Sequence, residues 1–184
     1  MAVNPAQGFP EVARRNFFQT RVELPVIAGL FRPPRNARVL EVGCGRGVAL
    51  PYLAKRLQPA ELVGLDCDPD VLAIAQARAG GVARLVEADA RAMPFADASF
   101  DLVFDFGTFF HTPGHEQMLA EVARVLAPGG TLICEARLSQ LISHPSLYRS
   151  HRDRSYGCEP HLRQTANRML WFGLTKPASA EWPA

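Results

Sequence analysis

The sequence predicts an α/β fold: a doubly wound, mostly parallel sheet with helices on both faces, in a single domain. Three observations predict it. Short apolar and β-branched runs alternate with helix-spaced segments from Ala37 to Cys134. A glycine-rich turn, Gly43-Cys44-Gly45-Arg46-Gly47, falls where the first of those runs gives way to a helix. Acidic residues then stand at or just beyond the ends of the following runs, at Asp66, Asp89 and Asp105. A length of 184 residues suits one domain and is enough to bury a core without disulfides.

The elements follow in order. Glu11 to Phe31 is mixed and predicts one or two short helices, with Pro25 at a break or a helix start. Pro33-Pro34 stops them. Ala37–Val42 is a strand, and Val48–Leu57 has helical spacing up to Pro59. Glu61–Leu65 is a second strand ending at Asp66. Asp66 or Asp68 can cap the next helix, with Pro69 at its first position. That helix runs to about Arg78, Gly80-Gly81 breaks it, and Val82–Val86 is a third strand. Phe100–Phe104 is a fourth strand ending at Asp105. Glu116–Leu126 is one apolar face of a helix, stopped by Pro128-Gly129-Gly130, and a fifth strand begins at Thr131. Beyond Leu138 the pattern weakens. Met169–Leu174 reads as a last strand, and Pro177 to Ala184 as a loose tail.

Composition excludes several classes. Hydrophobic residues make up 48% and charged residues 21%, which rules out a disordered chain, a collagen and a simple coiled coil. A net charge of +2, from 20 basic and 18 acidic residues, names neither nucleic acid nor a membrane surface as partner. Only Lys55 and Lys176 are lysines; the arginine excess reads chiefly as a coding bias, with anion recognition as the alternative. Cys44, Cys67, Cys134 and Cys158 form no C-x-x-C pair, so no zinc knuckle is indicated. Most of them adjoin apolar runs, as suits buried thiols in a reducing compartment. The first residues show no signal-peptide pattern, and no apolar run approaches a membrane span. A soluble cytoplasmic protein is expected.

The glycine turn carries the first chemical signal. Glycines permit positive φ and let a ligand approach the main chain closely. A dinucleotide fingerprint is G-x-G-x-x-G, but here the third glycine comes one residue early. Gly47 is followed by Val48, so the G-K-[ST] ending of a phosphate loop is missing too. A ligand without a pyrophosphate is preferred. Asp66 ends the neighbouring strand, where its carboxylate can accept from both hydroxyls of a ribose. Asp89 can accept from an exocyclic amine, and Met93 offers a flat apolar contact to a base.

These pieces, from Val39–Gly47 through Leu62–Asp70, Val86–Phe95 and Phe100–His111 to Ala120–Gly130, resemble the class I S-adenosylmethionine-dependent methyltransferases. The likeness is greatest to the small-molecule group with E-x-G-C-G-x-G loops. It implies a Rossmann-like fold that binds S-adenosyl-L-methionine and releases S-adenosyl-L-homocysteine. It also implies residue roles. Gly43 and Gly45, with Cys44 between them, would line the methionine portion. Glu41 would hold the loop and bond toward the methionine amino group. Asp66 would take the ribose hydroxyls, Cys67 would flank the adenine, Asp89 would meet its amino group, and Ala90 would supply a backbone contact. Asp105 and Phe106 would stand near the transferring methyl. On this reading residues 1–36 form a helical cover, 37–137 the cofactor-binding core, and 138–184 a completion of the sheet with a basic and aromatic segment.

Blander readings stand beside these. Asp66-Cys67-Asp68-Pro69-Asp70 superficially matches a calcium loop, but Val71 and Ala77 replace its required Gly and Glu. His111 is open between a general base, a substrate contact and a residue that holds its own loop. His111 and His115 are not expected to share a metal, because Pro113-Gly114 interrupts any helix between them; no metal is expected. Phe17, Phe18, Phe106, Phe109, Phe110, Tyr148 and Tyr156 are candidate walls for an apolar or aromatic acceptor. No cap domain is evident, so either the acceptor pocket is open or a second subunit, as in a homodimer, closes it. The rivals to a small-molecule methyltransferase are a methyltransferase acting on RNA or protein, a non-catalytic cofactor-binding partner subunit, and a nicotinamide oxidoreductase, which the glycine spacing disfavours.

Overall fold

A computed structural model describes residues 16–17, 19–109, 112, 114–137, 159–164 and 169–176. Seven strands form one sheet: β1 (Arg38–Val42), β2 (Glu61–Asp66), β3 (Arg84–Glu87), β4 (Phe100–Asp105), β5 (Leu126–Arg137), β6 (Glu159–Gln164) and β7 (Met169–Thr175). Their order is β3-β2-β1-β4-β5-β7-β6. The first five are parallel, and β7 and β6 join antiparallel at one edge. The described helices are α1 (Leu24–Phe31), preceded by a π-helical turn Gln19–Glu23, then α2 (Leu50–Leu57), α3 (Pro69–Ala79) and α4 (His115–Val125).

Alternating side chains divide the core between the sheet's two faces. Val39, Leu62, Leu102, Phe104 and Ile133 meet Leu24 and Ile27 of α1, Leu53 of α2 and Leu72 of α3. Leu40, Val63, Val103 and Leu132 meet Met118, Leu119 and Val122 of α4. Both faces of the central strands are therefore dry, which is why they read as unbroken apolar runs. Among the described residues no helix is long and apolar enough to cross a membrane.

Strand register aligns the carboxyl ends. Val42 lies opposite Leu65 on one side and Asp105 on the other; Asp66 lies opposite Glu87, and Asp105 opposite Cys134. The chain moves outward from β1 through β3, then returns to lay β4 on the other side of β1. That reversal opens a crevice above the ends of β1 and β4, where ligands of such sheets bind.

Several boundaries differ from the sequence expectation. Helix α2 starts at Leu50 rather than Val48. Positive φ at Gly43, Gly45 and Gly47 keeps the preceding chain out of helix, and Pro51 suits the first turn. Strand β3 starts at Arg84, because the amides of Val82 and Ala83 both donate to the Ala79 carbonyl as a turn off α3. Pro128-Gly129-Gly130 lies within β5, where the register against β4 shifts between Phe100 and Leu102. The Lys176 ammonium closes α4 instead, donating to the carbonyls of Ala123 at 3.1 Å and Leu126 at 2.7 Å. Strand β6, with Glu159, Pro160, His161 and Arg163, was not expected; at the sheet's edge a proline need not donate.

Candidate active site

The glycine loop joins β1 to α2, and its three glycines serve different neighbours. A Cβ on Gly47 would lie 3.0 Å from the Ala75 Cβ and 3.2 Å from the Ala75 Cα, so this glycine admits α3. A Cβ on Gly43 would collide with the Thr108 side chain. A Cβ on Gly45 would meet nothing within 4 Å. Gly45 therefore faces open space with φ +51°. The Cys44 amide extends β1 by donating to the Leu65 carbonyl at 2.9 Å.

Asp66 stands where its strand position predicts. One carboxylate oxygen accepts from the Gly45 amide at 2.8 Å and the other from the Asp68 amide at 3.1 Å. Asp68 is the cap of α3, accepting from the Asp70 and Val71 amides. Glu41 shares the face of Val39 and is 3% exposed. Burial, then Asp105 and Asp66, holds its carboxyl well above the usual carboxylate range. Its Oε2 has no hydrogen-bond partner. A buried polar atom left so is costly, and a cationic donor would satisfy it.

Beyond β3, Asp89 clasps Arg91, accepting from its amide at 2.8 Å, its Nε at 2.9 Å and its Nη2 at 2.5 Å. Those bonds hold Asp89 below the ordinary aspartate range. Ala90 is buried. Met93 is 4% exposed and packs into the α4 side of the core. The Met93 amide donates to Glu121 Oε2 at 2.7 Å, and Arg124 donates to the Met93, Phe95 and Asp97 oxygens, pinning this loop to α4.

Beyond β4, Asp105 is buried and turned into its own loop. Its oxygens accept from the amides of Gly107, Thr108 and Phe109 at 3.0, 2.7 and 3.0 Å, and from the Cys134 thiol at 3.4 Å. Burial outweighs those bonds and pushes the carboxyl up to about 6. Phe106 stacks on Phe104, with centroids 5.5 Å apart, on the α1 side; Phe109 is buried on the α4 side. Phe109 thus anchors the turn in the core. Phe17 is 65% exposed. Phe18, Phe110, His111, Tyr148 and Tyr156 lie outside the described residues. Burial pushes up the thiols of Cys44 and Cys67, which argues against either as a nucleophile.

Thr108 is the residue that sequence reasoning passed over. Its Oγ1 lies 3.3 Å from the Val42 carbonyl and 3.4 Å from that of Gly43. Nothing in the local sequence signals this contact, because it is made across the pairing of β1 with β4. Among the described residues no His, Cys, Asp or Glu cluster suits a metal.

The open space at Gly45, the acid ending β2 and the orphaned Glu41 oxygen fit the nucleoside and amino-acid ends of S-adenosylmethionine. The fold is that of the class I S-adenosylmethionine-dependent methyltransferases. Residues 40–134, just over half the chain, match the family model described as a methyltransferase domain, and the chain belongs to that family. A fatty-acid O-methyltransferase of Mycolicibacterium smegmatis is 43% identical over 95 residues, 50% of this chain and 34% of that protein. A demethylmenaquinone methyltransferase of Thermus thermophilus is 42% identical over 99 residues, 52% of this chain and 45% of that protein. The chain spans less than half the length of these relatives. A SAM-dependent methyltransferase from Aquifex aeolicus superposes with a TM-score of 0.72 at 19% identity, covering 92% of this chain and 95% of that one. At that identity the likeness is one of fold.

Proposed function

We propose that this protein transfers a methyl group from S-adenosyl-L-methionine to a small, largely apolar acceptor. The observation that carries the reading is the Asp66 carboxylate beside the open main chain of Gly45, with the unsatisfied Glu41 acid beneath the same loop. The bound sulfonium supplies an electrophilic methyl, so the protein's task is placement and exclusion of water. Asp66 would hold the ribose hydroxyls, the Gly43–Gly45 main chain the methionine portion, and Glu41 its ammonium. Asp89 and the Ala90 main chain would face the adenine. Asp89 would then share or release Arg91 on binding.

Relatives named for a fatty acid and for demethylmenaquinone support an apolar acceptor. Among the described residues Phe17 is the exposed aromatic that could meet it, since Phe109 is taken by the core. An acceptor protonated at neutral pH needs a base, and His111, two residues after Phe109 in sequence, is the candidate because histidine is the side chain that ordinarily titrates near neutrality. The net charge of +2 gives no reason to invoke nucleic acid. Cys44, Cys67 and Cys134 are thiols rather than disulfides, which suits the cytoplasm.

The test is calorimetry with S-adenosylhomocysteine and NAD, followed by mass spectrometry of fatty acids, quinols and phenols incubated with the protein and S-adenosylmethionine. Binding of S-adenosylhomocysteine alone and a 14-dalton gain on one acceptor class are expected. Saturable binding without transfer to any class would indicate a non-catalytic partner subunit, and no binding would reject the reading.

A further inference from the structure

Asp105 is a buried acid that the proposed chemistry does not use. It is 1% exposed, and four donors occupy its two oxygens, so neither faces a reactant. Three of the donors are consecutive amides, which fixes the backbone of the turn after β4. That turn is anchored on both faces of the sheet, by Phe106 on one and Phe109 on the other. Between the anchors, Thr108 lies against Gly43, filling the volume a Cβ there would need and approaching the Val42 and Gly43 carbonyls. This contact crosses the boundary between β1 and β4, where the strand order reverses. One side of it is the glycine loop; the other leads, in sequence, to Phe110 and His111.

We infer that Asp105 is a positioning residue for methyl transfer. Without touching either reactant, its carboxylate holds Thr108 against the Gly43 main chain and so sets the spacing between the cofactor loop and the acceptor loop. In-line transfer makes that spacing matter, because a displacement of about 1 Å can cost about a hundredfold in rate. The inference rests on the proposed function, since the spacing has a consequence only when a ligand spans both loops.

A double-mutant cycle on S-adenosylhomocysteine affinity tests it, using wild type, Asp105→Ala, Thr108→Val and the double variant, with amide hydrogen exchange followed at 107–109. Asp105→Ala should weaken binding about 10-fold, and Thr108→Val about 3-fold, these being roughly the values of lost hydrogen bonds. The double variant should bind no worse than Asp105→Ala alone, because both changes cut one connection. Asp105→Asn should fall between wild type and Asp105→Ala. Its amide oxygen still accepts from Gly107 and Thr108, while its NH₂ opposes the Phe109 amide and the Cys134 thiol. Exchange should accelerate at 107–109 and stay unchanged in β1 and β2. Additive losses, or full affinity in Asp105→Ala, would overturn the inference and leave the proposed function standing. Absence of binding by wild type would remove both. If Asp105→Ala does not fold, Asp105→Asn takes its place in the cycle.

Discussion

The main-chain amide of Gly45 donates to the carboxylate of Asp66 across 2.8 Å, tying the turn after β1 to the end of β2. The acid thus already touches the loop that would cradle the other half of its ligand. Asp66→Ala removes both the ribose acceptor and this tie. It should weaken S-adenosylhomocysteine binding by about 1.5–3 kcal/mol, the range for a hydrogen bond to a charged group. Calorimetry showing wild-type affinity would refute the ribose role.

Gly45→Ala and Gly47→Ala should separate binding from stability. Both place a Cβ at positive φ, at a cost of about 1–2 kcal/mol. Only Gly47→Ala also drives that Cβ against the Ala75 backbone, adding about 1–3 kcal/mol of overpacking. Urea midpoints should fall further for Gly47→Ala, while Gly45→Ala should stay folded and lose cofactor affinity. Equal midpoints would contradict the assignment of Gly47 to packing against α3.

Asp105 gives stability a pH dependence of definite sign. Its folded pKa of about 6 lies above the ordinary aspartate value, so the folded state holds the proton more tightly than the unfolded one. The stability it contributes is full below about pH 4 and is lost as pH rises through about 6, on the order of 3 kcal/mol. Glu41 is raised as well and acts in the same direction. Asp89, Asp101 and Glu121 are lowered and act oppositely, at more acid pH. The readout is therefore the difference between wild type and Asp105→Asn in urea unfolding from pH 4 to 7. A constant difference would exclude Asp105 as the source.

Arg124 should be a stability residue with a functional echo. It bonds two loop carbonyls, Asp97 and Glu121 at once. Arg124→Ala leaves part-buried partners unsatisfied and should cost about 2–3 kcal/mol. Arg124→Lys should recover only part of it, because an ammonium lacks the planar fork. Because the loop carries Asp89 and Ala90, cofactor affinity should fall with it. A urea midpoint unchanged in Arg124→Ala would show the network to be dispensable.

His111→Ala separates base catalysis from mere loop support. If His111 takes the acceptor proton, the single-turnover rate should drop about 10²–10⁴-fold and lose its rise across pH 6 to 8. A wild-type rate and profile would remove it as the base.

The parallel core was legible because burial on both faces leaves apolar runs in β1, β2 and β4, and because Asp66 and Asp105 close their strands where the rim begins. Asp68 and Pro69 likewise announced α3 through a cap that depends only on neighbours. Thr108 was not legible, since its contact with Gly43 depends on the pairing of Val42 with Asp105, 63 positions apart in the chain. Nor was β6, because Glu159, Pro160 and Arg163 interrupt any strand-like alternation of apolar residues in its sequence.

The interleaving of the last two strands has a consequence for assembly during synthesis. Strand β6 is translated before β7, yet among the described residues its only neighbour in the sheet is β7, which in turn leans on β5. The earlier-made ribbon must wait, unmated, for the later one to dock, and Lys176 then fastens that arrival to the end of α4. A ribosome stalled short of Met169 would hold a nascent chain whose parallel half could close while β6 had nothing to pair with.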